Sequence, residues 1–413
     1  MKHATAKTNP RDAVPVLDLS PSEATSIGEQ VDRIALDTIA AFDAFVESNR
    51  QFPKNTWKLV KTRGELCAYR TRRHRSSPES QLRATAPRDG RHMCETSETH
   101  ISSSSSSDDM AQTVVMEERK QKTPPLVVVS GIVPGTLEDV MYGNVSDSDA
   151  TWRLRSHYLK DAHHDCKMLA TIRRPSAQDP FRFLALRWSL KKFPVFMKMR
   201  DVVYAESSGV VRDSVTNQIT AGYNIMHSIE LPGRIPDLAP DFDILRFSMS
   251  LCFVARAYDA RSTEIYCRAV CLPGPNAPES ISTLIYAENL LNSVNGVSCA
   301  VAKKLVWLSQ ERERQRFQYT KRTLATATHC QGCLRGLKLV GGLSRSAAVC
   351  QCCRRIVCGK CHREKKVVVD VDPQTHGVVA KALVFCLQCV AEATEMSAMT
   401  IVNGSEPAMS LDT

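Results

Sequence analysis

Four closely spaced pairs of cysteines near the carboxyl terminus constrain this 413-residue sequence more than any other feature. Nine of its sixteen cysteines fall between residues 330 and 389, and eight of those nine form C-x2-C pairs. A two-residue gap lets both sulfurs of a pair reach one ion from a tight turn, and eight thiolates suffice for two tetrahedral zinc sites. The sequence therefore predicts two Zn(II) ions with the ligands Cys330, Cys333, Cys350, Cys353, Cys358, Cys361, Cys386 and Cys389.

The positions alone leave open which four sulfurs share an ion. Cys352 is a ninth thiol in this region, either a spare or an alternate ligand. The other seven cysteines are scattered over the first 329 residues and are expected to be buried small apolar residues.

Charge and composition limit the classes of partner. Hydrophobic residues make up 43% of the chain and charged residues 24%, as in soluble globular proteins. The net charge of +10 and pI near 8.9 favour an anionic partner, nucleic acid or an acidic membrane, although a basic tail or linker would give the same balance. The chain starts without an apolar signal segment and has no apolar run of membrane-span length, so we expect a cytoplasmic protein.

Hydrophobic periodicity organises the rest of the chain. Residues 20–48 and 280–316 repeat apolar residues at helical spacing, and each range predicts a long amphipathic helix. Between them, from residue 124 to 273, strand-like runs alternate with short polar links, which favours antiparallel pairing. The polar segment 74–123, with six consecutive serines, predicts a disordered insertion. This order of elements predicts an α+β fold.

The α+β region resembles the START family of lipid-transfer domains, the helix-grip fold. The resemblance is carried by DILRFSMSLCFVAR (243–256), by TEIYCRAVCLPGPNAPESI (263–281) and by the long terminal helix. It implies an elongated cavity between this helix and a wrapped antiparallel sheet, in which an apolar small ligand would be buried. Candidate polar groups of that cavity are His227, Arg246 and Arg268, although such residues on strands more often face solvent or bond a neighbour.

The cysteine spacing from Cys350 to Cys361 resembles the FYVE zinc finger, a small two-zinc cross-brace module of the FYVE/PHD kind. The resemblance implies that the ligands interleave and that the module binds phosphatidylinositol 3-phosphate. RING domains are the rival, but they carry a histidine before the fifth ligand, and residues 350–361 contain none. By the FYVE resemblance one ion would be held by Cys330, Cys333, Cys358 and Cys361, and the other by Cys350, Cys353, Cys386 and Cys389.

The lipid-binding motifs of the FYVE family are altered in this chain. The WxxD motif is absent before Cys330, and RSAAVC stands where the basic RRHHC motif should end. The arginine ahead of the seventh ligand is also replaced, since VFC occupies that place. Arg345, Arg354 and Arg355 remain as candidate phosphoinositide contacts within a basic surface. Such charge attracts anionic lipid without recognising the 3-phosphate.

Domain boundaries follow from these patterns. We expect a disordered tail over 1–19, the START-like domain over 20–310 with its insertion over 74–123, a linker or helix extension over 311–326, the FYVE-like module over 327–393 and a second disordered tail over 394–413.

A START-like domain followed by a FYVE-type finger resembles an arrangement abundant in oomycetes. It implies a non-enzymatic lipid-binding protein, peripheral on endosomal membranes, with anionic membrane lipid as partner. The alternatives are a protein-interaction adaptor whose cavity is filled by side chains and, less favoured by the spacing, a RING-like ubiquitin ligase.

The sequence lacks a phosphate-cradling glycine loop, GxSxG and HExxH, so no enzyme activity is expected. Its strands lack the interleaved aromatic and basic residues that stack on bases, so nucleic acid is not an expected partner.

Overall fold

A computed structural model describes residues 9–72, 124–161, 163–193, 197–316, 328–337, 347–372 and 377–402. The predicted insertion over 74–123 lies outside the described residues, as do Arg345 and most of the predicted linker.

Helices and strands account for most of the described chain. The strands are β1 (Trp57–Arg63), β2 (Leu66–Thr71), β3 (Val127–Pro134), β4 (His163–Arg173), β5 (Phe183–Lys191), β6 (Arg200–Arg212), β7 (Ile219–Ser228), β8 (Leu245–Arg246), β9 (Ser248–Ala257), β10 (Ser262–Leu272), β11 (Ala347–Val349), β12 (Ile356–Cys358), β13 (His362–Val371) and β14 (Val378–Cys386). The helices are α1 (Pro10–Ala13), α2 (Pro21–Glu47), α3 (Leu137–Asn144), α4 (Asp149–Leu159), α5 (Ala239–Phe242), α6 (Glu279–Leu291), α7 (Gly296–Arg316), α8 (Leu387–Glu395) and α9 (Ala398–Val402).

One large sheet forms the centre of the molecule, in the order β1-β2-β3-β10-β9-β7-β6-β5-β4. Every neighbouring pair on this path is antiparallel, and the short β8 lies parallel to β6 beside it. Short links join β1 to β2, β4 to β5, β5 to β6, β6 to β7 and β9 to β10, because an antiparallel neighbour needs only a tight turn. The predicted α+β class, an antiparallel sheet followed by a helical segment, is confirmed.

Opposite faces of the sheet are covered by different helices, because successive side chains on a strand point to opposite sides. Helix α2 begins with a capping box at Ser20 and buries Phe42 and Val31 against one face, beside Ile225 and Val254. Helices α3 and α6 cover the other face, where Leu137, Met141 and Leu290 pack with Met249, Leu251 and Ile265. The prediction of a long amphipathic helix at residues 20–48 is confirmed.

The terminal helical segment is divided, whereas the sequence predicted one helix. A 3-10 turn at Asn292–Asn295 separates α6 from α7. Helix α7 packs closely on α3, since a Cβ at Gly143 would lie 1.9 Å from the Gly296 carbonyl oxygen. On its other side α3 approaches the sheet so closely that a Cβ at Gly222 would lie 2.2 Å from Met141 Sδ. Helix α3 therefore occupies much of the space that the helix-grip resemblance reserved for a cavity.

Both predicted tails contain ordered residues. Near the amino terminus Val14 is fully buried, and the backbone N–H of Leu17 donates to the Leu169 carbonyl oxygen at 2.8 Å. Near the carboxyl terminus α8 continues to Glu395 and α9 buries Ile401. These segments are too short to show hydrophobic periodicity, so their order comes from docking on the domain. Within the described residues, order therefore extends beyond the predicted boundaries at residues 19 and 394.

The cysteine-rich module consists of two hairpins, β11–β12 and β13–β14, followed by α8. It packs directly on α7, with Leu305 and Leu308 in one apolar cluster with Val357 and Phe385. The β13–β14 hairpin fills the long gap between the third and fourth cysteine pairs. Within the described chain, no helix combines the length and apolar character needed to cross a bilayer.

Candidate metal centres and ligand cavities

The structure brings the eight paired cysteines together as two sets of four. One set is Cys330, Cys333, Cys358 and Cys361, and the other is Cys350, Cys353, Cys386 and Cys389. These are the interleaved sets that the FYVE resemblance implied. The second set is the more buried, because it lies on the side of the module that faces α7.

The spacing of the sulfurs fits a tetrahedral metal site. A zinc ion bonded to four thiolates at about 2.3 Å needs sulfurs about 3.8 Å apart, the edge of the tetrahedron. The sulfurs of Cys333 and Cys358 are 3.8 Å apart, and those of Cys353 and Cys386 are 3.6 Å apart. All four sulfurs of each set lie within 4.8 Å of one another. Each set could therefore hold one metal ion.

The same local turn presents the first pair of sulfurs in each set. Leu334 donates its backbone N–H to the Cys330 carbonyl at 2.8 Å, and Arg354 does the same to the Cys350 carbonyl. Both residues have positive φ, 61° and 55°, which bends the chain back after the second cysteine of the pair. The repeated turn is why two residues suffice between paired ligands.

Backbone N–H groups point at several of the sulfurs. Cys358 donates to Cys330 Sγ at 3.2 Å, and Cys386 donates to Cys350 Sγ at 3.2 Å. Burial tends to raise the pKa of Cys330, but these backbone donors lower it to about 6. Cys386 also caps α8 and accepts from the Cys389 N–H at 3.4 Å, where the helix N-terminus favours negative charge. The backbone donors thus stabilise the thiolate of Cys330, the form that binds metals.

Helix α7 adds polar contacts around the second set. Arg312 Nη1 donates to Cys389 Sγ at 2.9 Å, and its Nη2 pairs with Glu392 at 2.6 Å. Ser309 Oγ lies 2.9 Å from the sulfur of Cys352, which is fully buried. Cys352 belongs to neither set of four, so its place is at the contact between α7 and the module. The sequence analysis did not predict these α7 residues.

The predicted phosphoinositide contacts are only partly described. Arg354 pairs with Glu313 of α7 at 3.7 Å, and Arg355 donates to Gln388 at 2.6 Å. Arg345 lies outside the described residues. Strand β11 occupies the place of the basic FYVE motif, and its sequence Ala-Ala-Val offers no cation.

The three predicted cavity residues do not line the cavity between the sheet and the terminal helices. His227 and Arg268 lie on the α2 face, since they share strand parity with Ile225 and Tyr266. His227 bonds Ser250 Oγ at 2.9 Å, and burial lowers the pKa of His227 to about 4. Arg246 instead pairs with Asp201 at 2.5 Å. The structure therefore places His227, Arg246 and Arg268 away from that cavity, because alternation alone does not say which face each residue occupies.

The cavity on the predicted face is small. It has a volume of about 90 Å³ and lies between Met141 of α3, Met226 and Leu251 of the sheet, and Tyr286 of α6. Ligand pockets of drug-sized molecules are typically about 300–1,000 Å³. With α3 in this position, the cavity does not admit a lipid.

A buried ion cluster next to this cavity was not predicted. Glu206 of β6 pairs with Arg155 of α4 and, at 2.7 Å, with Arg187 of β5, and all three side chains are at most 3% exposed. Ser146 Oγ also donates to Glu206 at 2.9 Å. Burial raises the pKa of Glu206, but the two guanidinium groups outweigh this effect and lower it. The available signal was an arginine, Arg187, inside the mainly apolar run of β5.

Fold and clusters together define a class of protein: an α+β domain on a helix-covered antiparallel sheet, joined to a small module with two sets of four cysteines. No protein-family model and no curated protein matches the chain. Among solved structures, human STARD10 is similar at 10% identity over 66% of this chain and 80% of that chain, with a TM-score of 0.36.

Two further solved structures are similar at the same level. Human StAR-related lipid transfer protein 5 has 12% identity over 65% of this chain and 96% of that chain, with a TM-score of 0.38. A STAR-related lipid transfer protein fragment from Xanthomonas axonopodis has 11% identity, covering 59% and 96%, with a TM-score of 0.34. At these TM-scores the similarities identify neither a ligand nor a function for this chain.

Proposed function

We propose that the eight paired cysteines bind two zinc ions and that the chain is a non-enzymatic protein of anionic membrane surfaces, which it contacts through the zinc module. The observation that carries the proposal is the gathering of these sulfurs into two interleaved sets of four. Zinc suits an all-thiolate tetrahedral site of this spacing better than magnesium or calcium, which prefer oxygen ligands. The FYVE-type resemblance supports a membrane role for a module of this form.

The exposed surface of the module supplies the attraction to lipid. Arg335, Lys360, Arg363 and Lys366 are exposed, and each cation near an anionic leaflet contributes about 1 kcal/mol. Leu334, beside Cys333, is 78% exposed and available to enter the headgroup region. Because β11 has no basic residue, the binding we propose depends on negative surface charge and does not require a 3-phosphate.

Vesicle binding tests this proposal. We expect the full chain to sediment with vesicles containing phosphatidylserine at low salt and to be released at high salt, because exposed charges are screened. The variant R363Q/K366Q should bind about 30-fold more weakly, since two lost cations remove about 2 kcal/mol. The matched control K54Q/K58Q removes two exposed charges from the β1 region and should bind like the wild type. Equal binding to neutral vesicles, or equal loss in both variants, contradicts the proposal.

An adaptor role is the second candidate, and one observation favours it. Helix α3 occupies the sheet face, so the central cavity of about 90 Å³ is too small for a lipid. A domain whose cavity is filled by its own side chains serves as a scaffold, with the module as the part that contacts another protein. Absence of vesicle binding by a zinc-loaded chain would favour this reading.

The contact between Arg312 and Cys389 makes the two zinc sites distinguishable. Replacing Arg312 with glutamine removes a cationic donor from one thiolate, and loss of such outer-sphere partners typically weakens metal binding about 10- to 100-fold. Zinc release to excess chelator, followed with a metal-sensitive dye, should show two phases, of which R312Q accelerates only one. Arg314 is 57% exposed and pairs with Glu311 on the same helix, so R314Q is the matched control. Unchanged kinetics in R312Q would show that Arg312 does not support the site.

A further inference from the structure

A second cavity lies where the sheet domain meets the cysteine module, and its volume of about 380 Å³ is within the range of small-ligand sites. The domain contributes Leu154 and Tyr158 of α4 and Val306 and Trp307 of α7. The module and the segment after it contribute Val368, Val369 and Ile401. We call this space the seam cavity.

The seam cavity differs from the other spaces near it in its apolar lining. The cavity under α3 measures only about 90 Å³. A larger groove of about 910 Å³ runs past the start of α3, but its lining includes the carboxylates of Glu138, Asp139, Asp259 and Glu395. Apolar ligand surface is best removed from water where the walls are hydrocarbon, so the seam cavity is the better candidate.

One ammonium group supplies a polar anchor in the seam cavity. Lys303 Nζ donates to the carbonyl oxygens of Tyr142 at 2.9 Å and Val145 at 3.2 Å, and the cation lies 5.1 Å from the Tyr142 ring centre. An ammonium has three N–H donors, so a third can meet an oxygen of a ligand. Asp147 and Asp370 line the same cavity, and these carboxylates oppose an anionic headgroup.

We propose that the seam cavity binds an uncharged, mainly hydrocarbon molecule that carries one hydroxyl or carbonyl oxygen, with that oxygen at Lys303. The size, the apolar walls and the single cationic donor beside two carboxylates together select this class of ligand.

Ligand binding at the seam is coupled to metal binding, and this part rests on the zinc sites of the proposed function. Strand β13 begins directly after Cys361, and α9 follows the helix that carries Cys389. Loss of zinc would release these elements and remove one wall of the cavity, because modules of this size depend on their metal for folding. The membrane-surface part of the proposed function is not required.

A binding titration with radiolabelled hexadecanol tests the inference on the full chain without vesicles. V306W fills the seam cavity and should weaken binding about 5- to 150-fold, since extra bulk in a packed site costs about 1–3 kcal/mol. M226F fills the cavity under α3 instead and should leave the affinity within about twofold. Each variant is first checked for native circular dichroism and for the wild-type metal content. The anion hexadecanoate should bind more weakly than hexadecanol.

The outcomes separate this inference from the zinc proposal. Saturable binding that V306W weakens and M226F spares supports the seam cavity, and its loss on chelation supports the coupling. Binding that M226F abolishes and V306W spares, or no saturable binding, overturns the site. Tighter binding of hexadecanoate overturns the assignment of an uncharged ligand. A V306W-sensitive site in a chain without zinc would leave the seam cavity standing and contradict the metal proposal.

Discussion

Replacing Cys389 with serine is expected to release one zinc ion per chain and to unfold the carboxyl-terminal module. Cys389 is one of four ligands of the buried site and is only 2% exposed. Structural zinc contributes apparent binding free energies of about 10–16 kcal/mol in small modules, far more than the apolar core of this module can replace. Elemental analysis of C389S should find at most one zinc, and limited proteolysis should cut the chain after α7 while the sheet domain resists.

Cys352 provides the matched control for this variant. It is as buried as Cys389 and lies between the ligands Cys350 and Cys353, but it belongs to neither set of four. C352S should therefore keep two zinc ions and alter the contacts of this side chain with α7, among them those with Ser309 and the Leu305 carbonyl oxygen. If C389S keeps both ions, the double variant C352S/C389S shows whether Cys352 has taken the vacant position. Retention of two ions by the double variant would contradict the assignment of Cys389 as a ligand.

Replacing Glu206 with alanine should destabilise the sheet domain by about 3–5 kcal/mol, because it leaves two buried arginines without a counter-charge. The loss of Ser146 as a donor partner adds to this effect. Chemical denaturation, followed by circular dichroism of the full chain, measures the free energy of unfolding. Glu206 also holds α4 to the centre of the sheet, so this variant should expose the seam cavity side of α4 to proteolysis.

The control for Glu206 is a carboxylate of the same type at the surface. Glu288 pairs with Lys61 at 3.0 Å, and its side chain is 44% exposed. E288Q should therefore change the free energy of unfolding by no more than about 1 kcal/mol. Equal effects of E206A and E288Q would show that the buried cluster contributes no more to the free energy of unfolding than the surface ion pair does.

Local patterns account for what the sequence predicted well. The strand-like runs between residues 124 and 273 marked the strands of the sheet, and the helical spacing of apolar residues over 20–48 marked α2. These signals depend on neighbours within a few residues. Which residues face α2 did not follow from them, so the position of His227 on that face could not be predicted.

Contacts between distant segments account for what the sequence did not predict. The position of α3 between α7 and the sheet depends on the absence of a side chain at Gly143 and Gly222. The cysteine spacing pointed to metal ligands, yet the docking of the module on α7 involves Leu305, Leu308 and Arg312, which look like any amphipathic helix. The seam cavity arises only from that docking.

The metal content of the full chain, purified without chelator or added zinc, tests the central claim most directly. Elemental analysis should find two zinc ions per chain, and X-ray absorption at the zinc edge should show only sulfur neighbours at about 2.3 Å. A chain that is folded and free of stoichiometric metal, or one whose zinc has nitrogen or oxygen neighbours, would contradict the account.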